Sequence, residues 1–174
     1  MLREIRVRYH PQEDRLLLSF EAEPRTHHLL LTRRFWAQAR QSLQQLIDLS
    51  AEVPQHLPAT QRSSLSAANH QAIAALTSTA REKVKELGVP ADALLVTGLK
   101  LGQRKLRSPT PAAQRGWVLQ FELAGPAGLR LVVNDKTLHA LVSGLLQREE
   151  TAQWGLPPLP ARALPAPQAS FRLQ

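Results

Sequence analysis

Residues Arg15–Ile47 read RLLLSFEAEPRTHHLLLTRRFWAQARQSLQQLI, and residues Gly116–Arg148 read GWVLQFELAGPAGLRLVVNDKTLHALVSGLLQR. Each stretch begins with an apolar strand that contains a phenylalanine, Phe20 or Phe121. A short polar or Gly/Pro turn, a second apolar strand and an amphipathic helix follow in both. Because internal similarity reflects repeated structural units, this shared pattern predicts a pseudo-duplicated β-β-α unit.

A further strand precedes each of these stretches. Ile5, Val7 and Tyr9 alternate with charged residues, which indicates a strand with one face exposed to solvent. Residues 94–101 have similar strand character and occupy the corresponding place before the second stretch. We therefore expect an α+β fold of two pseudo-duplicated β-β-β-α units, whose antiparallel sheets pack against helices, plus one connecting helix.

Helical spacing of apolar residues replaces the alternation after the last strand of each unit. The first helix carries its apolar stripe on Phe35, Ala39, Leu43, Leu46 and Ile47, and the second on Leu138, Leu141, Val142, Leu145 and Leu146. Thr32 is a candidate N-cap for the first helix, and Asn134 or Asp135 for the second, because their side-chain oxygens can accept from free amide groups of the first turn.

The chain divides into five segments by composition and periodicity. These are a first β-β-β-α unit at 1–50, a linker at 51–64, a connecting helix at 65–90, a second β-β-β-α unit at 91–150 and a proline-rich tail at 151–174. Proline disfavours helix in the tail. The tail either docks on the body through Trp154, Leu156 and Phe171 or extends into solvent.

Residue types that carry catalysis are sparse. The chain has no cysteine, which excludes disulfide bonds, thiolate catalysis and cysteine-ligated zinc. Motifs for serine nucleophiles, zinc hydrolases and phosphate-binding loops are missing. His27 and His28 point to opposite faces of a strand, and we expect the six histidines at the surface or in interfaces. The sequence thus predicts no catalytic residue, no metal site and no cofactor, and favours a protein without enzymatic activity.

Positive charge is concentrated in one part of the sequence. The formal net charge is +8, which favours polyanionic partners. Candidate polyanion-binding residues are Lys100, Arg104, Lys105, Arg107 and Arg115 in the basic segment, together with Arg33 and Arg34 at the start of a helix. Each group has an alternative interpretation: the basic segment as a solvated hairpin loop, and the arginine pair as long side chains extending from a strand end.

Three functions are open on these features, of which an enzyme of unrecognised type is the least favoured because it would need a pocket lined by convergent polar groups. The first is a non-enzymatic protein-interaction or accessory protein, and the alternative is binding of nucleic acid or another polyanion through residues 100–115. No apolar run reaches the roughly 20 residues of a membrane span, and no signal peptide is visible. We therefore expect a cytoplasmic protein with no membrane partner, and the paired units are compatible with a homodimer.

Overall fold

A computed structural model of the chain describes residues 2–22, 24–51, 57–77, 88–105, 115–125, 128–157 and 159. Within these ranges the fold is α+β. Its elements in chain order are β1 (Leu2–His10), β2 (Arg15–Ala22), β3 (Arg25–Thr32), α1 (Arg33–Ser50), α2 (Ala59–Thr77), β4 (Leu94–Lys105), β5 (Arg115–Leu123), β6 (Gly128–Val133) and α3 (Asp135–Ala152).

The strands form one six-stranded sheet in the order β1-β2-β3-β4-β5-β6. All neighbours are antiparallel except β3 and β4, which are parallel, with Leu29 opposite Leu94 and Leu30 opposite Leu95. The expected antiparallel triplets are therefore present, but they do not form separate sheets. They join edge to edge because the inner edges of β3 and β4 bond to each other, so the sheet as a whole is mixed.

The link between β3 and β4 passes through helices, as parallel neighbours require a crossover rather than a hairpin. The second helix of this link, α2, begins at Ala59, inside the segment predicted to be a linker. Pro58 directly precedes it, and proline is tolerated at a helix start because the first amide groups have no partner within the helix. Residues 78–87 of the predicted connecting helix lie outside the described residues.

Helices α1 and α3 cover one face of the sheet. α1 lies over the central strands β3 and β4, whereas α3 follows β6 directly and reaches β1 at the opposite edge. An 18-residue helix is about 27 Å long, and six strands span about 24 Å, so one helix can cross the whole sheet. Near its end, Arg148 Nε donates to the carbonyl oxygen of Val7 at 3.1 Å. This contact satisfies a backbone acceptor of the edge strand β1.

The core lies between the sheet and the helices. Phe20 and Phe121 are both buried in it, and so is Trp117, whose ring nitrogen donates to Asp135. Both expected helix starts are confirmed: the side chain of Thr32 accepts from Phe35 N at 3.1 Å, and that of Asn134 accepts from Thr137 N at 2.8 Å. In the described ranges no helix has the length and apolar character to cross a membrane.

Candidate functional site

The sheet face opposite the helices carries a row of polar side chains on β4, β5 and β6. Lys100 pairs with Gln120, which pairs with Arg130, so the three residues form one row across the strands. All three are exposed, and so is Arg104, which lies on the same face of β4 and pairs with Gly116. Directly paired residues share a face of a sheet, and the register therefore places three cations on one surface.

Glycine is the other main component of this surface. We name this surface the β4–β6 outer face. Its residues are Gly98, Lys100, Gly102, Arg104, Gly116, Val118, Gln120, Glu122, Gly128, Arg130 and Val132. Gly128 is exposed, Gly98 and Gly102 are half-buried and Gly116 is buried, whereas Lys100, Arg104 and Arg130 are all exposed. Glycine in a strand is typical of sites where another molecule or backbone approaches closely.

One acid on this face is held against a cation. The Lys100 ammonium lies 2.5 Å from Glu122 Oε1 in a half-exposed pair. The carboxylate of Glu122 occupies the space that a Cβ at position 98 would need, so Gly98 allows it to reach Lys100. Since exposed pairs contribute only about 0–1 kcal/mol, a polyanion can compete with Glu122 for this lysine.

The structure brings together only part of the predicted basic group. Lys100 and Arg104 lie on the β4–β6 outer face. Lys105 and Arg115 pair at the ends of β4 and β5, but their side chains are outside the described part of the structure, as is all of Arg107.

Sequence reasoning missed Arg130, although its alternation with Leu129 and Leu131 indicated that it faces away from the core. Arg8 of β1 was also missed, and it lies on the same side of the sheet.

Arg33 and Arg34 are exposed at the start of α1. Because β3 and β4 are parallel, this helix start lies toward the same end of the sheet as Arg104. The Arg33 charge also contributes to lowering the pKa of the Asp14 carboxyl group, after the hydrogen bonds that this carboxylate accepts. The negative charge of Asp14 therefore offsets part of the unfavourable interaction between these cations and the helix dipole.

A hydrogen-bonded histidine pair joins the three helices. Ser50 Oγ of α1 donates to the carbonyl oxygen of Ile47 at 2.7 Å and lies 2.8 Å from His139 Nε2 of α3. A carbonyl oxygen only accepts, so the single hydroxyl proton is used there, and His139 Nε2–H must donate to Ser50. His139 Nδ1 is then an acceptor, and it receives the proton of His70 Nδ1 from α2 at 2.9 Å. The contacts thus define both tautomers.

Burial keeps this pair neutral. His139 is fully buried, and burial lowers its pKa from 6.5 to about 4, with a further lowering by the charge of His70 and an opposing effect of Asp135. Burial also lowers the pKa of His70, against the effect of Asp48. The expectation that the histidines lie at the surface or in interfaces is wrong for His139, because the pairing depends on helix packing that no local pattern reveals.

The last residues of α3 and the chain that follows are tied to the body. Glu149 accepts from Trp36 Nε1 at 2.5 Å and from Arg40 Nη1 at 2.8 Å, and Arg40 Nη2 donates to the carbonyl oxygen of Pro157. Arg40 and Trp36 are both buried. The buried guanidinium is therefore paired with a carboxylate and also holds the backbone of the C-terminal segment.

A second set of contacts holds the same segment against β1 and the turn that follows it. Trp154 is buried, packs edge-on against Tyr9 with ring centres 6.2 Å apart, and donates to Asp14 Oδ1 at 2.5 Å. Tyr9 donates to the same oxygen at 2.9 Å. The start of the predicted tail thus docks through Trp154, with Leu156 packed against the core. Phe171 lies outside the described residues.

The described residues contain no group of three or more His, Cys, Asp or Glu side chains arranged to hold a metal ion. Ser50, His70 and His139 do resemble the composition of a nucleophilic site, but Ser50 donates to a main-chain carbonyl and His139 is inaccessible. A nucleophile needs access to substrate and a base to take up its proton. In this arrangement the cluster connects α1, α2 and α3.

Comparisons of the chain with models of protein families, with curated proteins and with solved structures find no match.

Proposed function

We propose that this protein is a non-enzymatic binding protein that holds nucleic acid on the β4–β6 outer face through contacts to phosphate groups. The observation that supports this most directly is the register that aligns Lys100, Gln120 and Arg130 across three strands, with Arg104 on the same face. Lysine and arginine side chains are the groups that contact the phosphate backbone of nucleic acids.

The charge of the whole chain supports the same proposal. A formal net charge of +8 attracts nucleic acid at long range and raises its association rate. Arg33 and Arg34 lie at the start of α1, on the helix side of the sheet, and are not part of this proposed contact. In this proposal the two β-β-β-α units are products of a duplication, of which the second supplies the binding face.

Replacement of Arg104 and Arg130 by alanine is expected to weaken oligonucleotide binding and to reduce its dependence on salt. Each phosphate contact contributes about 0.9 to the slope of log Kobs against log salt for a duplex, so the double variant should lower the slope by about 1.8. Fluorescence anisotropy with a labelled duplex, titrated at several salt concentrations from about 50 mM upward, measures both quantities.

Lys136→Ala is the matched control, because Lys136 is an exposed cation in the first turn of α3, among the helices. It should leave affinity and slope close to those of the unmodified protein. Glu122→Gln removes the acid that engages Lys100 and should strengthen binding. No detectable binding of the unmodified protein at low salt, or equal losses in the double variant and in Lys136→Ala, would refute the proposal.

We also propose a second candidate function, which is self-association: α2 would bind a second copy of the chain. Leu65 is 47% exposed and borders an open cavity of about 430 Å³ whose described lining also includes Thr60, Gln61 and Ser64. A lone exposed leucine is common on protein surfaces, so this proposal rests on Leu65 together with the depression beside it.

If this surface forms a homodimer, Leu65→Glu should convert the dimer to a monomer in sedimentation equilibrium, because the charge would be buried without a partner. Leu94→Glu, at the other large exposed apolar residue of the described chain, tests whether any such substitution has this effect. A protein that is monomeric at all accessible concentrations contradicts self-association.

A further inference from the structure

In the described part of the chain, the Phe, Tyr and Trp side chains all lie on the side of the sheet that faces the helices. The described chain contains seven aromatic residues other than histidine: Tyr9, Phe20, Phe35, Trp36, Trp117, Phe121 and Trp154. Six are buried in the core, and Tyr9 packs against the same core and against Trp154. Among the described residues, the β4–β6 outer face therefore has no aromatic group.

Strand alternation explains this separation. Trp117, Leu119 and Phe121 of β5 point toward the helices, so the intervening Gly116, Val118 and Gln120 form the opposite face. Proteins that prefer single-stranded nucleic acid stack bases on exposed aromatic rings, each stacked base contributing about 1–3 kcal/mol. The outer face offers cations, one amide and backbone instead, and these contact phosphates without reading bases.

The spacing of the cations fits two phosphate strands. Lys100 and Arg104 are four residues apart on one strand, which corresponds to about 13 Å. Lys100 and Arg130 are separated by two strand intervals, or about 10 Å. The major groove of B-form DNA is about 12 Å wide. Cations at these separations can contact phosphates on both sides of a groove, an arrangement that a single strand does not provide.

We propose that the β4–β6 outer face selects double-stranded over single-stranded nucleic acid and does so without sequence preference. This inference rests on the proposed function and specifies its ligand. A duplex carries one charge per about 1.7 Å of axis, twice the density of one of its strands. The described residues of this face offer no aromatic ring that could stack on bases and so offset the lower charge density of a single strand. Charge density and the two-sided groove contact therefore determine which nucleic acid binds more tightly.

Four oligonucleotides of equal length test the inference with the full chain: two duplexes of unrelated sequence, one mixed-sequence single strand and one oligo-dT strand. Anisotropy titrations at one low salt concentration should give dissociation constants for the duplexes at least about tenfold below those of the single strands. The two duplexes should agree within about threefold, since phosphate contacts carry no sequence information. With three cations engaged, the salt slope should be about 2.7 for a duplex.

A matched pair of variants distinguishes the effect of the groove contact from the effect of total charge. Arg130→Ala removes the cation across the strands and should reduce the preference for duplex, whereas Lys136→Ala removes the same charge from α3 and should preserve it. Circular dichroism of each variant confirms folding. If single strands bind as tightly as duplexes, the inference is overturned but the proposed function stands. The same holds if the dissociation constants of the two duplexes differ by more than about tenfold. Absence of binding to all four oligonucleotides refutes the proposed function itself.

Discussion

Glu149→Ala is expected to lower the free energy of unfolding by about 3–5 kcal/mol, the usual cost of removing one partner of a buried ion pair. The Arg40 side chain is 7% exposed and that of Glu149 15%. Removal of the carboxylate leaves the guanidinium buried with the Pro157 carbonyl as its remaining acceptor in the described chain, because Arg40 Nε has no partner there. It also removes the acceptor of Trp36 Nε1.

Denaturant unfolding monitored by tryptophan fluorescence measures this loss. Glu150→Ala is the matched control, since Glu150 is the exposed neighbour on the same helix, and it should change stability by no more than about 0.5 kcal/mol. The double variant Arg40→Leu/Glu149→Leu should lose much less than Glu149→Ala, because no unpaired charge is then buried. Equal stability of the Glu149 and Glu150 variants would show that the carboxylate contributes nothing.

Acidification is expected to destabilise the fold by about 3 kcal/mol between pH 6.5 and pH 4 through His139 alone. The pKa of His139 is about 4 in the folded protein and 6.5 as the reference for the unfolded chain. As pH falls below 6.5, the unfolded chain binds a proton that the folded protein excludes. The stabilisation is therefore complete above pH 6.5 and is lost progressively as pH falls toward 4.

Other groups act in the same direction. The lowered pKa of His70 adds to the loss as pH falls below 6.5. The Asp14 carboxyl group, whose pKa is lowered by hydrogen bonds from Trp154 and Tyr9, contributes stability that is lost only as pH falls below its reference value of 3.8. Protonation of His139 at Nδ1 would place its N–H against that of His70 across 2.9 Å, so we expect the contact between α2 and α3 to weaken first.

Unfolding curves at several pH values between about 7.5 and 4 give the measurement. His139→Asn should be less stable than the unmodified protein at neutral pH, but its stability should vary much less over this interval. His10→Asn, in β1 rather than among the helices, serves as the control and should retain the pH dependence. An unchanged pH profile in His139→Asn would show that this histidine is not responsible.

The candidate binding surface could be predicted only in part. Lys100 and Arg104 were identified from the sequence because they belong to one basic run. Arg130 and Glu122 complete the surface only through the register of β4, β5 and β6. Register depends on the hydrophobic pattern and on turn geometry, and the sequence pattern alone did not show which residues pair across these strands.

The sequence by itself determined the local structure of this protein. Alternation and helical spacing predicted the strands and α1 and α3. The caps were predicted at Thr32 and at Asn134 or Asp135, because these signals act over a few residues. The tertiary structure alone decided that β3 and β4 join the triplets into one sheet, that His70 meets His139, and that Arg130 aligns with Lys100. These contacts depend on long-range packing and backbone pairing, which leave no periodic trace in the sequence.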